Sequence, residues 1–164
     1  GKTMGIIGLG NIGKKVAHIA EAFGMKVCYF STSGTGHCKD YPCLPLEELL
    51  AQSDIVSIHA PLNERTNRLV GAKELAMMKP SAYLVNMGRG AIVVEEDLAA
   101  AVDNGVIAGA GIDVFVTEPI PEDHPYLKMK HPERMRLAPH VAWASVEARE
   151  RLVGIMADNI RKGW

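Results

Sequence analysis

The chain has 164 residues, of which 48% are hydrophobic and 23% charged, so it is long enough for one well-buried core and short for two. Its 18 Lys and Arg residues nearly balance 19 Asp and Glu residues, and a net charge of -1 provides no field that would attract nucleic acid or an anionic membrane. We therefore expect one globular domain over residues 1–164, with no nucleic-acid or membrane partner.

The sequence also argues against a membrane span, a leader and a metal site. No apolar run approaches the roughly 20 residues that cross a bilayer, and "GKTMGIIGLG" lacks the features of a signal peptide. Three cysteines, Cys28, Cys38 and Cys43, are odd in number and lack metal-ligand spacing. We predict a soluble cytoplasmic protein with free thiols.

Apolar segments in the chain alternate between strand and helix patterns. "KTMGIIG" is a short strand-like run, and the apolar residues that follow it recur at helical spacing as far as Gly24. Further strands are predicted in "KVCYF", "DIVSIHAP", "AYLVNMG", "GAGIDVF" and "MRLAPH", and helices in "PLEELLAQS", "AKELAMM", "EEDLAAAVDNG" and the segment from about Ser145 to Lys162. Apolar strands separated by helices predict a doubly wound α/β domain, a parallel sheet between two helical layers.

The first strand is followed by "GLGNIG", which matches the G-x-G-x-x-G pattern of dinucleotide-binding turns. In such a turn Gly8 permits the tight bend, Gly10 lets the backbone approach a pyrophosphate, and Gly13 lets helix and strand pack closely. The helix N-terminus offers free N–H groups to the phosphates. A plain βα turn is the alternative, but the flanking strand and helix favour an NAD(P)-binding Rossmann fold.

The second strand ends at Ser31, where an acid usually accepts hydrogen bonds from the adenosine ribose. A serine hydroxyl can bind ribose, but it lacks the charge that would exclude a 2'-phosphate. An NADP site would favour an arginine in the same turn, and "STSGTGHCKD" offers only His37 and Lys39. A polar turn over 31–33 without a ligand is an equal alternative. We expect NAD as the cofactor, with NADP as the alternative.

Polar residues follow three later strands, at the sheet edge where ligands of such folds bind. Arg89 in "VNMGRG" could hold a carboxylate bidentately, and His140 in "LAPHVAWAS" could exchange a proton near neutral pH. Glu118, in "GIDVFVTEP" with Asp113, could pair with His140. Surface roles for the arginine and the acids are the alternative. Together the residues suggest chemistry on a small carboxylate that bears a carbonyl or hydroxyl.

The segments "GIIGLGNIG", "DIVSIHAPLNERTNRLV", "LVNMGRG", "GAGIDVFVTEP" and "APHVAWAS" occur in the order and spacing of the D-2-hydroxyacid dehydrogenases. The chain resembles that family over essentially its whole length, and "HVAWASVEAR" is most similar to the glycerate dehydrogenase (hydroxypyruvate reductase) branch. The resemblance implies hydride transfer between a nicotinamide and a small 2-hydroxy or 2-oxo acid. Phosphoglycerate, D-lactate or formate as substrate, or a dinucleotide-sensing corepressor, are the alternatives.

The resemblance also implies roles for individual residues. Arg89 would bind the substrate carboxylate and carbonyl, His140 would be the general acid/base, and Glu118 would pair with it, while Asp113 would bind the nicotinamide carboxamide. The remaining expected cofactor contacts are Gly8, Gly10, Asn11, Ile12, Gly13, Ser31, Thr32, His59, Ala60, Pro61, Thr66, Met87, Gly88 and Ala142.

Members of the family are longer and have a second domain that closes over the substrate. We therefore expect this chain to be the nucleotide-binding domain, which binds dinucleotide but turns over slowly or not at all without that closure. Members commonly pair through this domain, so we also expect a homodimer.

Overall fold

The computed structural model describes residues 1–36 and 38–163. His37, one of the two basic residues that could meet the 2'-phosphate of NADP, lies outside the described residues.

Strands and helices alternate along the chain as predicted, with shorter bounds for several elements. The strands are β1 (Thr3–Ile7), β2 (Lys26–Phe30), β3 (Ile55–Ile58), β4 (Tyr83–Asn86), β5 (Gly109–Ile112) and β6 (Met135–Leu137). The α-helices are α1 (Asn11–Ala22), α2 (Leu46–Gln52), α3 (Ala72–Leu75), α4 (Glu95–Asp103) and α5 (Val146–Lys162), with short 3-10 turns at Gly90–Ile92, Pro125–Leu127 and Pro132–Arg134.

Three predicted strands end three residues earlier than their apolar runs suggested. The runs extend to residues 61, 115 and 140, whereas β3, β5 and β6 end at Ile58, Ile112 and Leu137. Beyond these points the chain leaves the sheet and forms the loops that carry the polar residues. An apolar run therefore overestimates the length of a strand when the loop after it also packs into the core, as buried Val114 and Phe115 do.

All six strands are parallel, in the order β2-β1-β3-β4-β5-β6. From β1 the chain moves outward to β2 and then returns across β1 to β3, so the winding direction reverses between β1 and β3. Ligands of open α/β sheets bind outside the carboxyl ends of the strands at this kind of reversal. The fold therefore locates a ligand crevice next to the ends of β1 and β3.

The core lies on both faces of the sheet. Ile6 and Ile7 are adjacent in β1 and both 0% exposed, yet they belong to different hydrophobic clusters because successive strand residues point to opposite faces. Helix α1 packs on one face, where its buried residues are small, and α2, α3 and α4 form the layer on the other. The three-layer prediction is confirmed. In the described part of the chain, no helix combines the length and apolarity that crossing a membrane would require.

Asp54, just before β3, ties together the amino ends of three strands. Its Oδ2 accepts a 2.8 Å hydrogen bond from the Thr3 backbone N–H, and its Oδ1 lies 3.4 Å from Lys2 Nζ and 3.2 Å from Lys79 Nζ. Its backbone carbonyl accepts from the Tyr83 N–H at 3.0 Å. The bond from Thr3, helped by the two lysines, lowers the pKa of Asp54 from 3.8 to about 2.

We expect Asp54→Asn to lower the free energy of unfolding at neutral pH. Because the native pKa lies below the ordinary value, the native state binds fewer protons than the unfolded chain between pH 3.8 and about 2. The stabilisation from the carboxylate is therefore complete above that window and is lost as the pH falls through it. Urea unfolding at a series of pH values should show wild type and variant converging in acid.

Asp158→Asn, which changes an exposed carboxylate on α5, is the matched control and should leave the pH dependence of wild type unchanged. A constant gap between wild type and Asp54→Asn from neutral pH down to about pH 2 would contradict the assignment.

Candidate active site

The turn after β1 needs glycine for two separate reasons. Gly8 has φ +91°, and a Cβ built on it would lie 2.8 Å from the Ala60 backbone. A Cβ on Gly13 would lie 2.4 Å from the Gly8 carbonyl oxygen, so α1 packs directly against the turn. These contacts place the N-terminus of α1 at the crevice between β1 and β3.

Space for an anion lies at the N-terminus of α1. A Cβ built on Gly10, the N-cap residue, meets no heavy atom within 4 Å, and no side chain caps the helix. The first turn carries no acid, and Asn11 and Ile12 are exposed, Ile12 by 65%. Free backbone N–H groups beside open space fit the pyrophosphate of a dinucleotide. The residues of this turn therefore suit the cofactor that the glycine pattern predicted.

Ser31, at the end of β2, is only 6% exposed, and its hydroxyl is engaged within its own turn. Its Oγ donates to the Thr35 carbonyl at 2.6 Å, so Ser33 is the donor in the 3.0 Å contact between the two serine hydroxyls. Thr32 is half-buried and borders a cleft of about 320 Å³. The more accessible groups at this strand end are thus Thr32 and Ser33, and a ribose contact from Ser31 stays a prediction.

Arg65 is a candidate that the sequence reasoning missed. Its Nη1 donates to the Ser33 carbonyl at 2.9 Å, although 32 positions separate the residues. An NADP site predicts an arginine within the turn after β2, whereas Arg65 comes from the loop after β3. No local pattern could have found it, because only the parallel pairing of β1 with both strands brings the two loops together.

The loop after β3 is held by Thr66, which is 0% exposed. Its Oγ1 donates to the Pro61 carbonyl at 2.7 Å and accepts from the Asn63 N–H at 2.8 Å. Thr66 therefore stabilises the loop from inside, and its predicted contact with the cofactor stays a prediction. Ala60 is buried below the crevice, and Pro61 is exposed.

His59 lies at the same strand end, with its Nε2 2.8 Å from Ser57 Oγ. Its Nδ1 is buried and has no hydrogen-bond partner among the described residues. Burial lowers the pKa of His59, which favours the neutral ring at the crevice.

The loop that carries Arg89 is held by Asn86, a buried residue at the end of β4. Asn86 Nδ2 donates to the Arg89 carbonyl and its Oδ1 accepts from the Gly88 N–H, both at 3.0 Å. A Cβ on Gly90 would lie 2.0 Å from the Phe115 carbonyl carbon, so this loop lies directly against the segment that carries Glu118. Arg89 and Met87 are exposed at the crevice edge. Sequence reasoning missed Asn86, although a polar residue in an apolar strand indicates a buried side chain with hydrogen-bond partners.

His140 and Glu118 form a close pair, with 2.7 Å between Nδ1 and Oε2. Glu118 Oε1 accepts from the Phe115 N–H at 2.9 Å, which fixes the carboxylate. The hydrogen bond from His140, with that from Phe115 and the charge of Arg89, lowers the pKa of Glu118. The two side chains are 35% and 36% exposed, so the pair faces outward and can reach a ligand.

The backbone of His140 lies in the left-handed region, at φ 54°, which is unusual for a residue with a Cβ. Asp113, 2% exposed, stabilises this conformation because its two carboxylate oxygens accept from the Val141 and Ala142 N–H groups, each at 2.9 Å. The geometry thus makes Asp113 a positioning residue for His140. Its predicted contact with the nicotinamide carboxamide stays a prediction.

The pair also borders an apolar cavity of about 470 Å³. Its wall includes Phe115, Ile120, Leu137 and Pro139 beside His140 and Glu118. The crevice edge therefore combines a cation, a hydrogen-bonded imidazole–carboxylate pair and an anion-binding turn.

Comparison with known proteins shows to which family the chain belongs. The family model described as "D-isomer specific 2-hydroxyacid dehydrogenase, NAD binding domain" matches residues 1–142. Glyoxylate reductase from Korarchaeum cryptofilum is 44% identical over 163 residues, which cover 98% of this chain and 48% of that protein. Hydroxypyruvate reductase from Blautia hydrogenotrophica is 40% identical over 164 residues, covering 99% and 50%.

Solved structures show the same likeness. An NADPH-dependent glyoxylate/hydroxypyruvate reductase from Sinorhizobium meliloti, in complex with NADP and malonate, matches with a TM-score of 0.87 and 36% identity over 98% of this chain and 49% of that one. The NAD complex of a D-isomer specific 2-hydroxyacid dehydrogenase from Lactobacillus delbrueckii gives 0.85 and 34%, covering 99% and 54%. The chain thus spans about half the length of the curated relatives it matches. The predicted family is confirmed: the chain belongs to the D-2-hydroxyacid dehydrogenases and contains their NAD-binding domain.

Proposed function

We propose that this chain supplies the cofactor site and the catalytic groups of a reductase that converts glyoxylate or hydroxypyruvate to the 2-hydroxy acid. The observation that carries the proposal is the 2.7 Å contact between His140 Nδ1 and Glu118 Oε2 at the crevice edge. Reductases and dehydrogenases for these acids are among the similar proteins, which favours an enzyme over the corepressor alternative.

Each polar residue has a distinct task in this proposal. When bound, the nicotinamide ring supplies or accepts the hydride. His140 donates a proton through its Nε2 to the substrate carbonyl oxygen, or removes one from the hydroxyl in the reverse direction. Glu118 holds the other ring nitrogen and stabilises the protonated ring, and Arg89 binds the substrate carboxylate. Ionised Glu118 suits this task, since its lowered pKa keeps it charged at neutral pH.

The exposure of Arg89 and His140 bears on the rate of catalysis by this chain. Water weakens charge interactions at an open site, and closed sites in enzymes strengthen them. We therefore propose that the chain alone binds cofactor and reduces 2-oxo acids slowly.

Single-turnover assays with the chain in excess over NADH or NADPH test the proposed chemistry. We expect slow formation of glycerate from hydroxypyruvate or glycolate from glyoxylate, and a fall of at least about a hundredfold in His140→Asn, because general acid catalysis contributes 10²–10⁴-fold. In Arg89→Gln, the single-turnover rate should depend less on the presence of a carboxylate in the substrate. A parallel panel of 3-phosphohydroxypyruvate and pyruvate with the reduced cofactors, and of formate with NAD or NADP because formate is oxidised to CO2, tests the other substrates.

His131→Asn is the matched control, since this histidine lies in a loop and its side chain pairs with Glu133. Equal rates in wild type and His140→Asn, or fast steady-state turnover by the chain alone, would contradict the proposal.

The glycine turn gives a second test, by direct binding of NADH and NADPH. Gly10→Ala should leave thermal stability nearly unchanged, because the new methyl group meets no protein atom, but should weaken dinucleotide affinity about tenfold or more by occupying the pyrophosphate space. Gly154→Ala, also without a neighbour within 4 Å but located on α5, is the matched control. Unchanged affinity in Gly10→Ala would show that the dinucleotide does not use this turn.

We further propose that the chain forms a homodimer through the surface that includes α5. This helix has no buried residue, and Leu152, Val153, Met156 and Ile160 are each at least 50% exposed. They form one stripe at helical spacing, and Trp143, 55% exposed, lies just before the helix. An exposed apolar stripe of this length marks an interface, and a second copy is the partner that the family resemblance predicts.

Analytical ultracentrifugation at tens of micromolar, about the range in which a standard interface persists, should show a dimer. Met156→Lys should shift it to monomer because the charge would lie in the apolar contact, whereas Lys162→Glu at the polar end of α5 should not. A monomeric wild-type chain at this concentration would refute the proposal.

We also propose a cytoplasmic location, which Cys28, Cys38 and Cys43 favour because all three are free thiols.

A further inference from the structure

The end of β2 presents no negative charge to the adenosine side of the crevice. The turn over 31–34 is Ser-Thr-Ser-Gly, and its hydroxyl groups are neutral. An acid at this position would repel a phosphate on the ribose 2' position, so its absence removes the usual electrostatic barrier to NADP. A neutral turn only permits NADP to bind. A preference for NADP over NAD also requires a cation that faces the 2'-phosphate.

The loop after β3 supplies that cation in a fixed position. Asn63 Oδ1 accepts from the Arg65 backbone N–H at 2.9 Å, and the next residue, Thr66, is fully buried with its hydroxyl bonded to Pro61 and Asn63. These bonds constrain the backbone on both sides of Arg65. The side chain is therefore presented from a rigid loop and needs little ordering to bind a ligand.

The guanidinium itself is seated against the β2 turn. Its Nη1 donates to the Ser33 carbonyl at 2.9 Å, and a Cβ on Gly34, whose φ is +87°, would lie 3.1 Å from the same nitrogen. Glycine at position 34 thus permits the close approach. One of the five N–H donors is used by Ser33, and the others remain for an anion.

Two clefts meet at this guanidinium. One, of about 320 Å³, lies between Arg65 and the β2 end and includes Thr32, and the other, of about 390 Å³, includes Thr32, Ser33 and Arg65. Glu64 borders the second cleft, but Arg65 forms no ion pair within the part of the chain that the structure describes. Among the described residues, therefore, no carboxylate neutralises the charge of Arg65.

We propose that Arg65, with Thr32 and Ser33, binds the 2'-phosphate of NADP(H), so that this chain prefers NADPH to NADH. A guanidinium binds phosphate oxygens through two parallel N–H donors, and the Thr32 hydroxyl, which borders both clefts, can add another. The inference rests on the proposed use of the glycine turn for a dinucleotide. It assigns the choice between the two cofactors to a residue of the β3 loop rather than to the β2 turn.

Calorimetric titration of the 164-residue chain with NADPH and NADH, at low and moderate salt, tests the inference. We expect NADPH to bind more tightly, and we expect Arg65→Gln to weaken NADPH about tenfold while changing NADH less than about twofold, because the lost charged hydrogen bonds involve only the phosphate. Arg65→Lys should lie between, since it keeps the charge but not the fork. The preference should shrink as salt rises.

Arg68→Gln is the matched control, because it removes a cation three residues away that borders neither cleft. Adenosine 2',5'-bisphosphate and ADP, titrated in parallel, report on the adenosine half alone, and only the first should depend on Arg65. Thermal unfolding of each variant confirms that it is folded.

Three outcomes decide between the proposals. Selective loss of NADPH and of the 2',5'-bisphosphate in Arg65→Gln supports the inference. Tighter binding of NADH by wild type, or equal loss of both cofactors in Arg65→Gln, overturns it and leaves dinucleotide binding intact. No binding of either cofactor by the folded wild-type chain overturns dinucleotide binding itself and the inference with it.

Discussion

The close approach of backbone segments at the carboxyl edge of the sheet is the constraint on which the rest of this structure depends. A Cβ on Gly8 would lie 2.8 Å from Ala60, one on Gly88 would lie 2.9 Å from the Ala60 carbonyl oxygen, and one on Gly90 would overlap the Phe115 backbone. These contacts bring the loops after β1, β3, β4 and β5 into direct contact. The glycine turn, Arg89 and the His140–Glu118 pair therefore lie along one continuous edge.

Two buried polar side chains hold that edge in place. Asn86 bonds to the Gly88 N–H and to the Arg89 carbonyl, and Asp113 bonds to the two residues that follow His140. A buried amide or carboxylate that lost these partners would carry a large desolvation penalty. The loops and the two buried side chains therefore stabilise each other. The exposed residues that would meet substrate, Arg89 and His140, can thus be held in place without being buried themselves.

The end of the crevice next to β2 is arranged differently. There the Ser31 hydroxyl is bonded to Thr35 within the β2 turn, and the charge comes from Arg65 on a neighbouring loop. The selectivity proposed for Arg65 would depend on the register of β2, β1 and β3, since this register brings the two loops together. A shift in that pairing would separate Arg65 from Ser33.

By itself the sequence determined the alternation of strands and helices, the glycine turn and the residue types at the strand ends, because periodicity, propensity and steric need are local properties. Arg89, Glu118 and His140 could be named for the same reason, since each lies at the end of an apolar run or within three residues of it. The tertiary structure decided which side chains are available for binding: it buried Thr66, engaged Ser31 in its own turn and gave Asp113 a role in holding His140. It alone brought Arg65 to the β2 turn, because contacts between residues 32 positions apart arise from strand pairing and leave no trace in local sequence.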